Sequence, residues 1–513
     1  MKGVVLGLRA WLVAGVLIAT ASTSSQPPNV VIMLMDDMGW GDLGCNGEPN
    51  RETPNLDQMA REGLIASSMY TAAPLCSPSY TPQNMVGGIP DDEVLLPELL
   101  AQKGYTSGLV GKWHLGHQPQ YLPLKHGFDF WFGAPNCHFG PYADLLTPNI
   151  PVFLNDSMVG RYYEDFHIDK NNGVSNMTQL FTDAAVEFIN REANRGPFFL
   201  LWAPDATHAP TYASEKYRGT SRRGRYGEAV RELDAGVGAI LDALRAHQVD
   251  NNTLVVFTSD NGAALVSKYN GGSNGPFLCG KQTTFEGGMR APGIFWWPGV
   301  IPAGTTTHQV SSENTQPSQP YEEAVAEWCG RRWICSRTAA QLAGVQTPQD
   351  RIYDGLALAK SLTHPQLEVQ RPVFLYRGNR LMAVRRGPLK IHLWTFSTPT
   401  AELQKGINFC PGAEVPNVTT PTPTNHTARP ILFNVEVDPG ERYPVSHLSR
   451  TYKDAIQMLK KVVKEHEEKL VPGEPQLNWC DQAVMHWRPH GCEALKECLP
   501  IPQSNPYLCD WPH

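Results

Sequence analysis

Four oxygen-bearing side chains, in two adjacent pairs, are the first candidates for chemistry in this sequence. Asp36 and Asp37 directly follow one apolar run, and Asp260 and Asn261 directly follow another. Carboxylate and amide oxygens suit a hard cation such as Ca²⁺ or Mg²⁺, whereas zinc prefers nitrogen or sulfur. Either pair alone is more typical of a simple turn. Adjacent acids repel each other unless a cation neutralises them, so the two pairs together predict a metal site.

A second set of side chains could hold an anion. Lys112, His114, His208 and Lys281 could bind a sulfate or phosphate group and assist proton transfer. Each of them alone is more often a surface lysine or a histidine with ordinary partners. The net charge of −7 gives the chain no general attraction to nucleic acid or to anionic membranes. An anionic substrate would therefore need a local cationic pocket.

Short apolar runs alternate with amphipathic helices through the first two-thirds of the 513 residues. The patterns predict strands at 29–35, 107–110, 197–203 and 253–258, and helices at 53–64, 95–103 and 226–247. This alternation predicts an α/β fold with a large, mostly parallel sheet flanked by helices. The ligand site of such a sheet lies beyond the carboxyl ends of the strands. Polar clusters follow four strands, at 36–37, 111–114, 205–208 and 260–262, so one convergent site is expected.

The pattern changes after about residue 370. Antiparallel strands are predicted at 372–376, 381–385, 390–394 and 431–437, followed by a helix at 452–470. We therefore predict a catalytic domain at 22–370, a smaller C-terminal domain containing an antiparallel sheet at 371–475, and a tail at 476–513. The tail has little core of its own, so we expect disulfides between its four cysteines to stabilise it.

The N-terminus, residues 1–21, is typical of a secretory signal peptide. Lys2 and Arg9 precede a short apolar run that ends in small residues, and this run is too short to span a bilayer comfortably, as a membrane anchor would. Secretion permits disulfides, and an odd count of eleven cysteines leaves at least one unpaired or modified. A glycoprotein is expected from five sequons, at Asn155, Asn176, Asn251, Asn417 and Asn425.

The run Leu75-Cys76-Ser77-Pro78-Ser79 begins the Cys-x-Pro-Ser-Arg pattern in which sulfatases oxidise the cysteine to formylglycine, their nucleophile. The string 104–114 resembles the second sulfatase signature, and the two acidic pairs resemble the calcium ligands of that family. The segments 110–142, 205–210 and 273–288 and the turn 438–441 are most similar to the lysosomal branch that acts on 6-sulfated N-acetylgalactosamine. The chain is identified by these motifs as a member of the sulfatase family.

The resemblance implies an alkaline-phosphatase-like fold and a hydrolase that removes 6-sulfate from N-acetylgalactosamine or galactose in chondroitin and keratan sulfate. It implies that Cys76 becomes the formylglycine nucleophile and joins Asp36, Asp37, Asp260 and Asn261 around one Ca²⁺. In that family the hydrated aldehyde attacks sulfur, the sugar alcohol leaves, and the aldehyde re-forms as sulfate is expelled. The resemblance implies further catalytic residues alongside Cys76. Lys112, His114 and Lys281 would bind the sulfate oxygens and orient the nucleophile. His208 would interact with the bridging oxygen, and Tyr80 corresponds to an active-site tyrosine of the family.

The same resemblance implies partners and cross-links. It suggests a formylglycine-generating enzyme, a homodimer and delivery to the lysosome through the secretory pathway, with no partner nucleic acid and no membrane span. The disulfides that it suggests are Cys279 with Cys410, Cys480 with Cys509, and Cys492 with Cys498.

Two segments depart from the family pattern. Tyr80 stands where Arg completes Cys-x-Pro-Ser-Arg, and Pro82 and the run 87–90 break the helix that follows in the family. Residues 311–337 replace an apolar helix and contain Cys329 and Cys335, for which a local disulfide or no function is expected. The first departure removes a cation and a helix dipole, which predicts little or no sulfatase activity.

The alternative functions are a non-catalytic relative or splice variant that binds sulfated glycans or the active subunit, and a phosphoryl-transfer enzyme of the same broad fold. The cysteine at position 76 argues against the last.

Overall fold

The computed structural model describes residues 27–71, 73–74, 82–89, 93–138, 148, 150–311, 333–349, 359–366, 372–412, 414–470 and 477–509. An 11-stranded sheet forms the centre of the fold. Its strands, labelled β1 to β11 along the chain, are Asn29–Met35, Leu64–Tyr70, Thr106–Gly111, Phe130–Gly133, Pro151–Leu154, Ser157–Arg161, Phe198–Ala203, Thr253–Ser259, Arg290–Ala291, Gly293–Trp296 and Thr305–Ser311.

The spatial order of the sheet is β9-β2-β10-β8-β1-β7-β3-β4-β5-β6, with β11 also paired to β2. The five strands β8, β1, β7, β3 and β4 run parallel to one another. The pairs on either side of this parallel core are antiparallel, except β11 with β2. The carboxyl ends of the parallel strands therefore meet at one edge of the sheet.

Helices cover both faces of this sheet, as the predicted fold class requires. Helices α1 (Pro54–Glu62), α3 (Met177–Glu192) and α4 (Arg225–Ala246) pack on one face. Helices α2 (Leu96–Ala101) and α6 (Trp333–Leu342) pack on the other. The apolar stripe of α4 is fully buried, because its residues at three- and four-residue spacing all face the sheet.

A second sheet of four antiparallel strands follows. It consists of β12 (Pro372–Arg377), β13 (Arg380–Arg386), β14 (Leu389–His392) and β15 (Ile431–Asn434), in that order. Helix α9 (Arg450–Glu467) packs on one face of it, and the other face lies against the end of β2. The remaining helices are α5 (Glu286–Met289), α7 (Ala359–Thr363), α8 (Thr400–Gln404) and α10 (Cys492–Leu495). Two-residue strands pair Ile168–Asp169 with Val174–Ser175, Trp394–Thr395 with Thr424–Asn425, and Trp479–Cys480 with Tyr507–Leu508.

The predicted strands and helices agree with the structure in type, and they differ at their ends. The helix predicted at 53–64 ends at Glu62, because Gly63 leaves the helical conformation and Leu64 begins β2. The strand predicted at 390–394 ends at His392. The domain boundaries predicted at 21, 370 and 475, and the signal peptide, lie outside the described residues, so they stay predictions.

Three disulfides join the pairs that the resemblance suggested: Cys279–Cys410, Cys480–Cys509 and Cys492–Cys498. Cys329 lies outside the described residues, and nothing is described of the Cys335 side chain. The last two disulfides cross-link the tail, which runs along the part of the chain that contains the large sheet. Met85 forms a β-bridge with Cys480, and Asp481 N donates to Asn84 O at 2.7 Å. The tail therefore lies beside the segment that follows the predicted nucleophile.

The tail is also joined to the catalytic domain by two buried histidines. His117 Nε2 donates to Val484 O at 3.0 Å, and the rings of His117 and His486 lie 4.9 Å apart. His486 in turn contacts Asn136 Oδ1 at 2.9 Å. Burial lowers the pKa of His117 to about 4, and it also lowers that of His486.

This contact predicts acid sensitivity. A histidine whose pKa is lowered on folding contributes stability that is present above its unfolded pKa of about 6.5 and lost as pH falls towards the folded value. For His117 the loss between pH 7 and pH 5 is about 2 kcal/mol. The unfolding free energy at pH 7 should exceed that at pH 5. We expect His117→Gln to reduce this difference by about 2 kcal/mol, as measured by urea denaturation at the two pH values. Exposed His447→Gln is the control; an equal effect of both changes would contradict the prediction.

Candidate active site

The edge of the sheet where the parallel strands end is lined with charged side chains. Asp36 and Asp37 follow β1, Lys112 follows β3, His208 lies shortly after β7, and Asp260 follows β8. All five side chains are buried. Lys112 contacts Asp36, His208 lies close to Asp37, and Asp260 lies beside both acids. Lys281 and His114 complete the group. The structure thus brings together every predicted site residue that it describes.

The carboxylates of Asp36, Asp37 and Asp260 face each other, with one oxygen from each lying within 4.8 Å of the others. Burial, reinforced by the charge of Asp36, raises the pKa of Asp260 to about 7. Burial alone would also raise the pKa of Asp36, but Lys112 and the other nearby cations hold it well below its ordinary value. Three buried carboxylates this close together form a centre of negative charge that a cation would neutralise.

Asn261 supplies an observation that favours a metal site over a simple turn. Its side-chain Nδ2 donates to Asp37 Oδ1 at 2.7 Å and to Gly262 O at 2.9 Å, which fixes the orientation of the amide. Its Oδ1 is buried and accepts no hydrogen bond within the part of the chain that the structure describes. A buried acceptor without a donor is costly. The residues present therefore fit a hard, oxygen-liganded cation.

The cationic side chains of the site are held by its acids. Lys112 Nζ lies 2.7 Å from Asp36 Oδ2, and Lys281 Nζ lies 2.5 Å from Asp37 Oδ1. His208 Nε2 lies 3.6 Å from Asp37 Oδ2, while its Nδ1 must carry a proton because Ala209 O, 2.8 Å away, can only accept. Burial lowers the pKa of His208 to about 4 and that of His114 well below its ordinary value. Two ammonium groups and two imidazoles thus surround the carboxylates.

Two of the predicted site residues adopt a backbone conformation that side chains disfavour. Asp37 has a φ of 63° and His114 a φ of 66°, both in the left-handed region. Such residues persist only where surrounding contacts fix them, and they cluster at functional sites. Asp37 N is held by Asp260 Oδ1 at 3.1 Å, and His114 N by Pro135 O at 2.9 Å. These hydrogen bonds therefore fix the turns after β1 and β3, and with them the directions of the Asp37 and His114 side chains.

Sequence reasoning missed a buried ion pair next to His208. His138 Nδ1 lies 2.6 Å from Asp205 Oδ2, and its Nε2 lies 3.0 Å from Pro210 O. Both partners can only accept, so both ring nitrogens carry protons and His138 is an imidazolium. Burial alone would lower the pKa of His138, but Asp205 holds it above its ordinary value. His138 lies shortly after β4, so the rule of polar residues at strand ends could have found it.

Cys137 is the second residue that sequence reasoning missed. This buried thiol lies beside the clustered carboxylates, with its Sγ 3.6 Å from Asp36 Oδ2. One ligand atom each of Asp36, Cys137 and His208 also lie within 4.8 Å of one another.

The predicted nucleophile Cys76 and the predicted active-site residue Tyr80 lie outside the described residues. The chain immediately before them is placed. Pro74 O accepts a hydrogen bond of 2.6 Å from Gln282 N, which is next to Lys281. The backbone two residues before Cys76 therefore lies against the segment that carries Lys281.

Comparisons with known proteins agree with this architecture. Residues 28–319 match the family described as Sulfatase, and residues 368–500 match the C-terminal region of aryl-sulfatase. The first match covers more than half of the chain. The chain belongs to the sulfatase family. It is a sulfatase-type enzyme by this membership.

Among curated sulfatases, the N-acetylgalactosamine-6-sulfatase of Mus musculus is 53% identical over 529 residues, covering 98% of this chain and 98% of the relative. The human N-acetylgalactosamine-6-sulfatase is 51% identical over 519 residues, covering 96% of each. Among solved structures, the PsFucS1 sulfatase from Pseudoalteromonas sp. superposes with a TM-score of 0.70 at 25% identity, covering 88% of this chain and 92% of that one. None of the helices in the described part of this sulfatase is long and apolar enough to cross a membrane.

Proposed function

We propose that this sulfatase is a calcium-dependent sulfuric ester hydrolase of the lysosome that removes 6-sulfate from N-acetylgalactosamine or galactose units of chondroitin and keratan sulfate. The similarity to N-acetylgalactosamine-6-sulfatases over nearly the whole chain supports the substrate class. The cluster of buried lysines and histidines supports an anionic substrate. Partners included in the proposal are the enzyme that generates formylglycine at Cys76 and a second copy of the chain.

The observation that carries the proposal is the buried Asn261 Oδ1, which accepts no hydrogen bond from any described residue and lies beside three buried carboxylates. Asp36, Asp37, Asp260 and Asn261 would hold Ca²⁺, and the modified Cys76 would join them. When bound, the cation would polarise the sulfate group and stabilise the charge that develops on its oxygens. It would also relieve the repulsion among the three carboxylates.

The other site residues act on the ester itself. Lys112 and Lys281 would bind sulfate oxygens as they exchange contacts with Asp36 and Asp37. As an oxygen of the modified Cys76 forms a bond to sulfur, the bond between sulfur and the bridging oxygen would break, and the leaving sugar alcohol would take up a proton. His208 would supply that proton from Nε2, because an approaching sulfate would raise its lowered pKa. His114, whose turn is fixed by Pro135, would orient the nucleophile.

We further propose that the chain as written turns over little substrate, because Tyr80 stands where the maturation pattern has Arg. The resulting function would be that of a non-catalytic relative that binds sulfated glycans or the active subunit. Tyr80→Arg restores the five-residue pattern, so we expect it to raise the fraction of Cys76 converted to formylglycine from near zero to a majority. Mass spectrometry of the peptide that contains Cys76, from protein secreted by animal cells, measures this fraction.

Two outcomes would contradict these proposals separately. Formylglycine at Cys76 in the unaltered chain, together with turnover of a 6-sulfated galactoside, would refute the loss of activity and leave the sulfatase proposal intact. A Tyr80→Arg protein that contains formylglycine and binds Ca²⁺ but hydrolyses no 6-sulfated galactoside would refute the substrate. Cys76→Ala in the same background is the control, because it removes the nucleophile and leaves the predicted calcium ligands of β1 and β8 in place.

A further inference from the structure

Seven charged or hydroxyl-bearing side chains form a fully enclosed cluster between the two sheets. We call it the Glu286 cluster. Its members are Tyr70 and Arg290 from the large sheet, Glu286 from helix α5, and Arg385, Lys390, His392 and Glu441 from the C-terminal sheet and the turn after it. Glu286, Lys390 and Glu441 are each 0% exposed. Burying so many charges is costly unless each is paired.

Every charge in the Glu286 cluster has a partner. Lys390 Nζ lies 3.0 Å from Glu286 Oε1 and 2.9 Å from Glu441 Oε1, so it bridges the two acids. Arg290 Nε and Arg385 Nη1 lie 3.2 and 3.4 Å from Glu286 Oε2. Burial alone would raise the pKa of Glu286, but Lys390, Arg290 and Arg385 hold it below its ordinary value. Apolar residues of similar volume often stabilise a fold as well as such pairs do, so the cluster calls for another explanation.

That explanation lies in two contacts that leave the cluster and reach the backbone of residues 279–288, which we call the Lys281 segment. Lys390 Nζ donates to Thr284 O at 3.1 Å. Glu441 Oε2 accepts from Glu286 N at 2.7 Å. The turn 438–441 that contains Glu441 was one of the family-like motifs of the sequence, and neither metal nor sulfate binding uses it.

The Lys281 segment supports both halves of the candidate active site. Lys281 Nζ contacts Asp37, and Lys281 N donates to Ala263 O at 3.0 Å. Gly262, which follows Asn261, donates to Gly288 O at 3.1 Å. The two backbones approach so closely that a Cβ at Gly262 would lie 1.8 Å from Gly287 O. A shift of the segment would therefore move Lys281 and the Asn261 turn together.

The Lys281 segment needs external support. Cys279 and Gln282, on either side of Lys281, have φ values of 59° and 74°, which side chains disfavour. The disulfide to Cys410 ties one end of the segment to the C-terminal part of the chain, and Lys390 and Glu441 hold the other end. Lys281 lies between these two anchors.

We propose that Lys390 and Glu441 are positioning residues: through the Lys281 segment, the C-terminal sheet sets the placement of Lys281 and Asn261 in the active site. This inference rests on the proposed calcium-dependent function. It assigns the C-terminal sheet a part in metal and sulfate binding, although none of its residues reaches the site directly.

The test compares two buried cations of the same cluster. Lys390→Met removes the contact with Thr284 O, whereas Arg385→Met removes a charge from Glu286 and leaves both backbone contacts intact. We expect Lys390→Met to speed hydrogen exchange of the peptide 279–289 and to weaken Ca²⁺ binding by about 10- to 100-fold, the usual effect of losing an outer-shell support. Arg385→Met should leave the exchange rate of 279–289 and the Ca²⁺ affinity within about twofold of the unaltered chain, although it also lowers stability.

The outcomes are distinguishable. Equal effects of Lys390→Met and Arg385→Met on exchange or on Ca²⁺ affinity would show a purely structural cluster and overturn the positioning proposal alone. An unaltered chain that binds no Ca²⁺ in calorimetry would overturn the proposed function and this inference with it. If Lys390→Met does not fold, Glu441→Gln is measured instead. It keeps an oxygen for Glu286 N but loses the charge that holds Lys390, and unchanged exchange at 279–289 in that variant would equally overturn the proposal.

Discussion

Replacing Asp260 by Asn is expected to weaken calcium binding more than about 100-fold, because losing only an outer-shell partner of a metal ligand already costs about 10- to 100-fold. Asp260 is buried against Asp36, and its pKa is raised to about 7 by burial and by that neighbouring charge. An amide is nearly the same size, so the change removes charge and little packing. Isothermal calorimetry with Ca²⁺ at neutral pH, on the metal-stripped protein, measures the effect.

The matched control for this experiment is Asp42→Asn. Asp42 is also a fully buried carboxylate of the catalytic domain, but it contacts Arg223 and Tyr226, not the metal site. We expect this variant to lose stability and to bind Ca²⁺ as the unaltered chain does. Unchanged calcium affinity in Asp260→Asn, or an equal loss in both variants, would remove Asp260 from the metal site.

Replacing Asp205 by Asn is expected to lower the free energy of unfolding by about 3–5 kcal/mol, the usual effect of breaking a buried ion pair. The change leaves the His138 imidazolium without its counter-ion in a site where it is fully buried. The pKa of His138 is raised on folding, so its contribution is present below about pH 6.5 and lost as pH rises through the folded value. The pKa of Asp205 is lowered, so its contribution is present above about pH 3.9 and lost as pH falls. The loss of unfolding free energy in Asp205→Asn should therefore be largest between about pH 3.9 and pH 6.5.

Denaturant unfolding at pH 5 and pH 8 measures this dependence, and a double variant provides its control. Asp205→Asn combined with His138→Gln removes both charges, so it should be more stable at pH 5 than Asp205→Asn alone. The prediction would be contradicted if Asp205→Asn lost the same unfolding free energy at both pH values and the double variant recovered none of it. His138 and Asp205 would then carry no charge.

The sequence predicted the parallel sheet and the clustering of most candidate site residues that the structure describes, because buried strands and the polar residues at their ends both leave local patterns. Asp36, Lys112 and Asp260 were found in this way, as residues that directly follow a strand. Lys281 was named as a possible anion-binding residue, but only the family resemblance gave it a role, since it lies on a loop whose position depends on distant contacts. Element ends were less predictable, as at Gly63, where a single backbone change separates helix α1 from β2.

The Glu286 cluster could not have been predicted from local pattern. Lys390 and His392 alternate with Leu389 and Ile391 along β14, and such alternation normally indicates that the polar residues face water. In the structure both are 0% exposed, because the second face of the small sheet is covered by the catalytic domain. The position of one domain against another leaves no trace in the periodicity of a single strand.

The link between the two sheets also has a consequence for how the protein is made. Lys390 follows Glu286 by 104 positions, and Cys410 follows Cys279 by 131. At a synthesis rate of about 5–20 residues per second, Glu286 emerges roughly 5 to 20 s before its lysine partner. During that interval the newly made large sheet contains an incompletely paired acid and an unpaired thiol in what becomes the interior of the protein. The catalytic region matures only after most of the chain has been translated, so a premature stop between residues 311 and 390 would leave the large sheet without the partners that hold Lys281 in place.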